Sequence, residues 1–454
     1  MIDTIAAIAT PPGVGALAVL RISGPRAFEI AGALATFPLE PPRTAHLVTL
    51  RSHDGEPLDQ GVVTLFPDPA SYTGEEMVEI STHGGHVAPR LVLDALLRAG
   101  ARLARAGEFT ERAWLNGKLD LLQAEAVADL VEGSSRALHA VALQHLDRGL
   151  SRRLAALRER IVGLEAQLVH HIDFPGEDDA PVSIERLAEE AGGLAEDFDA
   201  LAASAPLGRL LRDGVRTVLA GSPNAGKSSL LNALVGEERA IVTEVPGTTR
   251  DRIEVGVEIE GLPFVLVDTA GLRDSDDTVE RLGVRVARET IGSADLVLLC
   301  IPVGAGCGAD EGAVLVGLTE APILTVRTKA DLGSQRALDP HDGGEACTIE
   351  EVRVSSLEGT GLDRLRGAMV EAVFSGVGSV DSGASVLTRE RQLEGVRHAG
   401  EEVRGFADAL SDGVPPEVAS AHLKGAVTAV EELLGTIGTE SVLDRVFSDF
   451  CIGK

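Results

Sequence analysis

Residues 221–229, Gly-Ser-Pro-Asn-Ala-Gly-Lys-Ser-Ser, constrain the fold more than any other stretch of this chain. They fit the pattern G-x-x-x-x-G-K-S. A short apolar run at 215–220 (VRTVLA) precedes them and reads as a buried strand, and LLNALVG from Leu230 reads as the start of a helix. A strand, a glycine-rich loop and a helix in that order wrap a pyrophosphate with backbone amides and the positive end of the helix. Lys227 reaches the outer phosphates, and the Ser228 hydroxyl is placed to ligate magnesium. An idle glycine turn would need no such frame.

The residues that follow select the nucleotide. A second apolar run, 264–267, ends on Asp268-Thr269-Ala270-Gly271. There a P-loop protein holds the aspartate of its magnesium site and a glycine amide for the γ-phosphate. Between the two, Pro246-Gly247-Thr248-Thr249-Arg250-Asp251 brings two hydroxyls, of which Thr249 is read as a magnesium ligand present only with the γ-phosphate. Thr328-Lys329-Ala330-Asp331 follows a third strand-like run, ILTVR. The Asp331 carboxylate accepts from guanine's ring NH and exocyclic amine, a donor pair that adenine lacks. Ser355-Ser356-Leu357 fits a last backbone contact to the guanine carbonyl. With Asn224, Ala225, Gly226 and Ser229 of the loop, these residues read as a GTP site. Most GTPases carry Asn at the place of Thr328, where its amide ties the base loop to the P-loop. Threonine keeps a hydroxyl with less reach, so guanine choice through Asp331 is expected to persist with looser binding.

A chain of 454 residues holds two to four domains, each with an ample core. No apolar stretch approaches the roughly 18 residues of a membrane span, and MIDTIAAIATPPGVG lacks the basic start of a secretory signal. Cys300, Cys307, Cys347 and Cys451 form no CxxC pair, which fits a reduced cytoplasm rather than zinc or disulfides. Cys300, within LVLLCIPV, reads as a core residue. A net charge of −29 argues against a broad nucleic-acid surface on this chain alone. The charge is uneven: residues 173–199 carry ten acids and one base, whereas 148–160 carry five arginines and one glutamate. Each stretch is either a solvated helix face or a docking surface for a partner or RNA.

The expected fold class is multidomain, α/β plus all-α. Residues 1–117 mix strand-like runs (GALAVLRIS, GVVTLFP, EMVEIS) with one convincing helix, APRLVLDALLRAG, and read as an α/β domain. Residues 118–213 turn helical, with Gly133-Ser134-Ser135 as an interruption and Asp173-Phe174-Pro175-Gly176 as a stop, then a helix from 184 to about 203. The Ras-like P-loop unit spans 214–376 and ends at SGVGSVDSGAS. Residues 377–454 are helical again, so the P-loop unit reads as an insertion into one helical domain.

These residues together resemble the MnmE (TrmE) family of tRNA modification GTPases. The resemblance rests on DTIAAIATPPGVGALAVLRISGP, GEFTERAWLNGKLDLLQAEAVADL, the P-loop and switch motifs, and the terminal FSDFCIGK. It implies a homodimer that works with a flavin-dependent partner, MnmG (GidA), to add an aminomethyl or carboxymethylaminomethyl group to the wobble uridine of tRNA. It also implies a one-carbon tetrahydrofolate derivative, 5-formyl- or 5,10-methylene-tetrahydrofolate, on the N-terminal domain. By position, Arg21, Glu79, Lys118 and the terminal Lys454 match the folate contacts: cations for its glutamate carboxylates, a carboxylate for the pterin edge. Cys451 beside that terminus is either a reactive thiol or a structural residue. No GxGxxG follows the first strand, so flavin chemistry falls to the partner.

Leu272 stands where Ras-like switches carry the glutamine that orients water, and leucine cannot do so. Arg250 and Arg252 are arginine-finger candidates by proximity only. The resemblance supplies potassium instead, with Asn224 and the carbonyls of Thr243, Val245 and Thr248 as ligands, so residues 243–249, Glu244 included, join the nucleotide site. Alternatively, Asn224 only braces the loop. Glu280 in DDTVERLG matches the family's catalytic glutamate, which accepts a hydrogen bond from the attacking water. Read alone, it is a surface glutamate starting a helix. A ribosome-assembly GTPase and a signalling switch are the competing readings.

Overall fold

Alternation of buried and exposed residues builds the first sheet of the computed structural model, which describes residues 3–35, 41–173, 182–237, 254–268, 290–305, 319–333, 351–375, 385–437, 446–447, 450 and 453. They divide into two compact units, one of residues 1–128, 145–158 and 427–454, the other of residues 129–144 and 159–426. In the first unit, β1 (Ile5–Ile8), β2 (Leu17–Ser23), β3 (His46–Arg51), β4 (Pro57–Phe66), β5 (Met77–His83) and β6 (Arg102–Leu103) form a sheet in the order β3-β4-β5-β2-β1-β6. Every neighbour is antiparallel except β1 and β6. Leu20, Ile22, Val78 and Ile80 point to the face covered by Ile30 and Leu34 of α1 (Ala27–Leu34) and by Val92 and Leu96 of α2 (Ala88–Arg98). Side chains alternate along a strand, so Arg21 and Glu79, paired in register, face the other side.

The sequence suggests one helix in residues 1–117; the structure adds α1 and α3 (Glu108–Leu115). The second escapes a hydropathy reading because its buried side includes Glu108, Thr110 and Arg112. Arg112 is wholly buried, and its guanidinium bonds Glu108, Glu75 and Asp3. Burial alone pushes the Glu108 carboxyl up, but hydrogen bonds from Arg102, the Arg105 amide and Arg112 hold it below its ordinary value.

Helices follow: α4 (Leu121–Glu132), α5 (Arg136–Leu146), α6 (Gly149–Asp173), α7 (Ile184–Ala202) and α8 (Ala205–Asp213). Gly133-Ser134-Ser135 interrupts the pattern as expected, and the Ser135 hydroxyl accepts the Leu138 amide at 3.2 Å. A second break falls at Asp147-Arg148, where Arg148 takes the left-handed region with φ +63° and Gly149 follows as the first residue of α6. α6 stops at Asp173, and α8 is a helix beyond those expected before Gly214.

In the second unit, β7 (Val215–Ala220), β8 (Glu254–Ile259), β9 (Leu262–Asp268), β10 (Leu296–Pro302), β11 (Ile323–Thr328) and β12 (Glu351–Arg353) lie in the order β12-β11-β10-β7-β9-β8. All pair parallel except β8 with β9. Strands buried on both faces read as continuous apolar runs, which is why β7, β9 and β11 are visible in the sequence. α9 (Lys227–Glu237) starts three residues earlier than LLNALVG suggests, because Leu230 already donates to the Gly226 carbonyl. α10 (Leu362–Phe374) covers one face of the sheet, and α11 (Glu390–Ser411) and α12 (Pro416–Leu434) return to the helical pattern. The strand order reverses about β7, so the loop after it sits at the topological switch point where such sheets bind ligands.

Candidate nucleotide site

The chain leaves β7 through a turn that only glycine permits. Gly221 has φ +135°, and a Cβ there would lie 2.3 Å from the Cys300 carbonyl oxygen. Cys300 itself is buried beneath, as expected, and burial pushes its thiol up to about 12. Asn224 stands exposed in the loop with φ +62°. Lys227 is buried, and its Nζ donates to the carbonyls of Gly221 and Ser222 at 3.0 Å each. Ala225 is buried, and Ser229 is exposed on the first turn of α9.

Parallel pairing of Leu219 with Asp268 brings the end of β9 beside the loop. Ser228 Oγ donates to Asp268 Oδ2 at 2.7 Å. A hydroxyl and a carboxylate oxygen at hydrogen-bond distance are hard donors on adjacent elements, and they fit magnesium. Magnesium is held through one or two protein oxygens plus substrate phosphates, so it needs no cage of acids, and none of three or more His, Cys, Asp or Glu stands among the described residues.

The segment expected to read the base, Thr328 to Asp331, reaches the loop after β7 directly. Thr328 Oγ1 donates to the Ala225 carbonyl across 103 residues of sequence. The expectation of lost reach is therefore corrected: the two loops lie close enough for a threonine hydroxyl to make the tie. Lys329 follows in the left-handed region, φ +60°, at a cost of about 1 kcal/mol for a non-glycine residue. The Ala330 amide is held by the Val354 carbonyl at 3.1 Å. Adjacent β11 and β12 then set Ser355 against Asp331, whose Oδ1 accepts from Ser355 Oγ at 2.8 Å. Ser356 is half-buried and Leu357 is 85% exposed.

A second cluster lies in the first unit. Arg21 Nε donates to Glu79 Oε1 at 3.0 Å, and the guanidinium lies 5.5 Å from the ring centroid of Tyr72. Tyr72 Oη and Thr110 Oγ1 are 2.9 Å apart, and burial raises the phenol pKa. Lys118 Nζ donates to the Pro69 carbonyl at 3.0 Å. Arg21 and Glu79 thus stand together, and Lys118 reaches the loop that carries Tyr72. The sequence reading passed over Tyr72, although it is the one tyrosine among 454 residues. Gly453 packs where a Cβ would lie 2.5 Å from the Ile8 carbonyl oxygen, so the end of the chain rests on β1. Thr243, Glu244, Val245, Pro246, Gly247, Thr248, Thr249, Thr269, Ala270, Gly271, Glu280 and Lys454 lie outside the described residues, as do Arg250, Arg252, Leu272 and Cys451.

Residues 4–118 match the family model of the GTP-binding protein TrmE N-terminus, and residues 121–451 match that of the MnmE helical domain. The tRNA modification GTPase MnmE of Moorella thermoacetica is 40% identical, across 100% of this chain and 99% of that protein. The chain belongs to the MnmE family of tRNA modification GTPases. MnmE proteins of Salinibacter ruber and Pseudomonas fluorescens are each 41% identical over 100% of this chain and 99% of theirs. Among solved structures, the G domain of the T. maritima FeoB iron transporter shares 29% identity over 35% of this chain and 98% of that one, at a TM-score of 0.28 that adds nothing to the fold argument. Family membership and the sheet order agree on the architecture: a TrmE-type N-terminal domain, a helical domain and a P-loop GTPase domain. Among the described residues, no helix is long and apolar enough to cross a membrane.

Proposed function

We propose that this chain is a cytoplasmic, potassium-stimulated GTP hydrolase acting in tRNA modification. With a flavin-dependent MnmG partner it installs aminomethyl or carboxymethylaminomethyl groups on the wobble uridine. The observation that carries the hydrolase reading is the Thr328–Ala225 hydrogen bond, which fastens the guanine-reading loop to the phosphate loop so that one ligand must satisfy both. Similarity of the whole chain to MnmE proteins carries the tRNA side and removes support from a ribosome-assembly or signalling switch. The proposed layout is 1–117, a tetrahydrofolate-binding and dimerising domain; 118–213 and 377–454, the helical domain; and 214–376, the GTPase.

In this reading the Lys227 ammonium exchanges the Gly221 and Ser222 carbonyls for phosphate oxygens. Ser228 and Asp268, with Thr249, would hold magnesium, which would supply charge neutralisation for the phosphates. Asn224 and the carbonyls of Thr243, Val245 and Thr248 would hold potassium, which would supply a fixed positive charge beside the phosphates. Leu272 carries no side-chain acceptor for water; Glu280, which the family resemblance matches to the catalytic glutamate, takes the role of aligning it. Arg21, Glu79, Lys118 and Lys454 hold the folate, with Tyr72 beneath the Arg21 guanidinium.

Single-turnover hydrolysis in matched potassium and sodium buffers tests the hydrolase half. The expected result is fast turnover in potassium only, and its loss in Glu280→Ala with nucleotide affinity retained. Equal rates in the two salts, or full turnover by Glu280→Ala, overturn the assignment.

A further inference from the structure

A cross-strand ion pair on a sheet face needs only its two partners. The pair of Arg21 on β2 with Glu79 on β5 has a third. Arg21 Nε donates to Glu79 Oε1 at 3.0 Å, and the guanidinium carbon lies over the Tyr72 ring, 5.5 Å from its centroid. The two charged side chains are 26% and 30% exposed, so water weakens the contact less than it would at a fully exposed site. Among the described residues the Arg21 side chain makes no other hydrogen bond, and neither does that of Glu79. A guanidinium fixed through its Nε and one face therefore keeps its Nη–H donors unbonded.

Tyr72 is itself held in place. Its ring packs on the buried cluster of Ile5, Ala7, Ala104 and Phe109. Its hydroxyl lies 2.9 Å from Thr110 Oγ1, on a residue that is fully buried. The chain on either side is tied as well. Ser71 Oγ donates to the Glu75 carbonyl at 2.5 Å, Thr73 Oγ1 lies 2.7 Å from Ser23 Oγ, and Asn116 Nδ2 donates to the Thr73 carbonyl at 2.7 Å. Burial pushes the phenol up, so the ring stays neutral and offers the guanidinium its π face rather than a phenolate. An arginine side chain is rich in rotamers, and ordering it before a ligand arrives removes that cost from binding.

We infer that Tyr72 is a positioning residue: its ring holds the Arg21 guanidinium on Glu79, with the Nη donors kept for an oxygen acceptor of the bound folate. The inference rests on the folate site proposed above and adds to it a residue that acts through Arg21 rather than on the ligand. Its contribution to binding should therefore vanish once Arg21 is gone.

The test is a double-mutant cycle in the full chain, titrated with 5-formyl-tetrahydrofolate. Tyr72→Leu keeps apolar bulk on the cluster but removes the π face, and should weaken binding about fivefold. Tyr72→Phe keeps the ring without the hydroxyl and should stay within about twofold of wild type. In an Arg21→Ala background, Tyr72→Leu should weaken binding no further, whereas a residue that only supports the fold would cost the same in both. Wild-type affinity in Tyr72→Leu, a phenylalanine variant as weak as the leucine one, or equal losses with and without Arg21 overturns the inference. A second readout needs no folate. Tyr72 is the one tyrosine of the chain, so carbon-13-labelled tyrosine gives the NMR signals of a single ring, and Arg21→Ala should shift them. Unmoved signals overturn the inference too. Failure of wild type to bind folate counts against the proposed function, and the ring signals still decide whether Tyr72 holds Arg21.

Discussion

Thr328 shows how one atom on the right loop replaces a longer side chain. Its hydroxyl spans to the Ala225 carbonyl because β11 ends beside the P-loop, and a Cβ placed on Gly226 would lie 3.4 Å from the Thr328 side chain. An asparagine amide would have to fit the same narrow gap. Removing the hydroxyl leaves a buried carbonyl without that donor at a cost of about 1 kcal/mol. Thr328→Val should therefore weaken GTP binding by about fivefold in a fluorescent-nucleotide titration, and Thr328→Ser should stay near wild type. Unchanged affinity in the valine variant would show that the tie between the loops does not matter. The sequence disclosed the chemistry of this position but not its reach, because reach depends on how closely two loops 103 residues apart are brought together.

Elements were legible where their burial is uniform and hidden where it is not. β7, β9 and β11 announce themselves as apolar runs because a parallel sheet covers them on both faces. α3 hides because Glu108 and Arg112 occupy its core side as partners, a pattern that hydropathy scores as solvent-facing. α8 was missed for a different reason. Its Gly208 looks like a helix breaker in sequence, yet in space it is what lets residues 385–388 cross the helix. A Cβ on Gly208 would stand 1.8 Å from the Leu387 carbonyl oxygen, and the Leu387 amide donates to Ser204 Oγ at 3.1 Å. Val386 packs with Leu207 and Leu211 on the same side. The exit from the GTPase segment is thus pinned to the helix that leads into it. Gly208→Ala must push that backbone away, and an overpacked contact of this kind costs about 1–3 kcal/mol. A lowered urea midpoint at unchanged slope is expected; a midpoint equal to wild type would mean that the crossing is looser than the geometry states.

At the scale of the whole molecule, identity was legible because rare pieces occur in one order: an N-terminal α/β segment, a helical segment broken by a P-loop unit, and a CIGK ending. What composition could not supply is the pairing within the cluster proposed to hold folate, where Tyr72 lies beneath Arg21 while Arg21 bonds Glu79. Under the proposed function, a net charge of −29 suits a chain that would leave most of the tRNA contact to a basic partner, while its own GTP hydrolysis would gate the reaction. That gating is the central claim, and nucleoside composition measures it most directly. tRNA from a strain lacking this chain should lose the aminomethyl and carboxymethylaminomethyl wobble uridines. Wild type should restore them, and Glu280→Ala should not. Unchanged wobble uridines in the deletion strain, or full restoration by Glu280→Ala, would contradict the account.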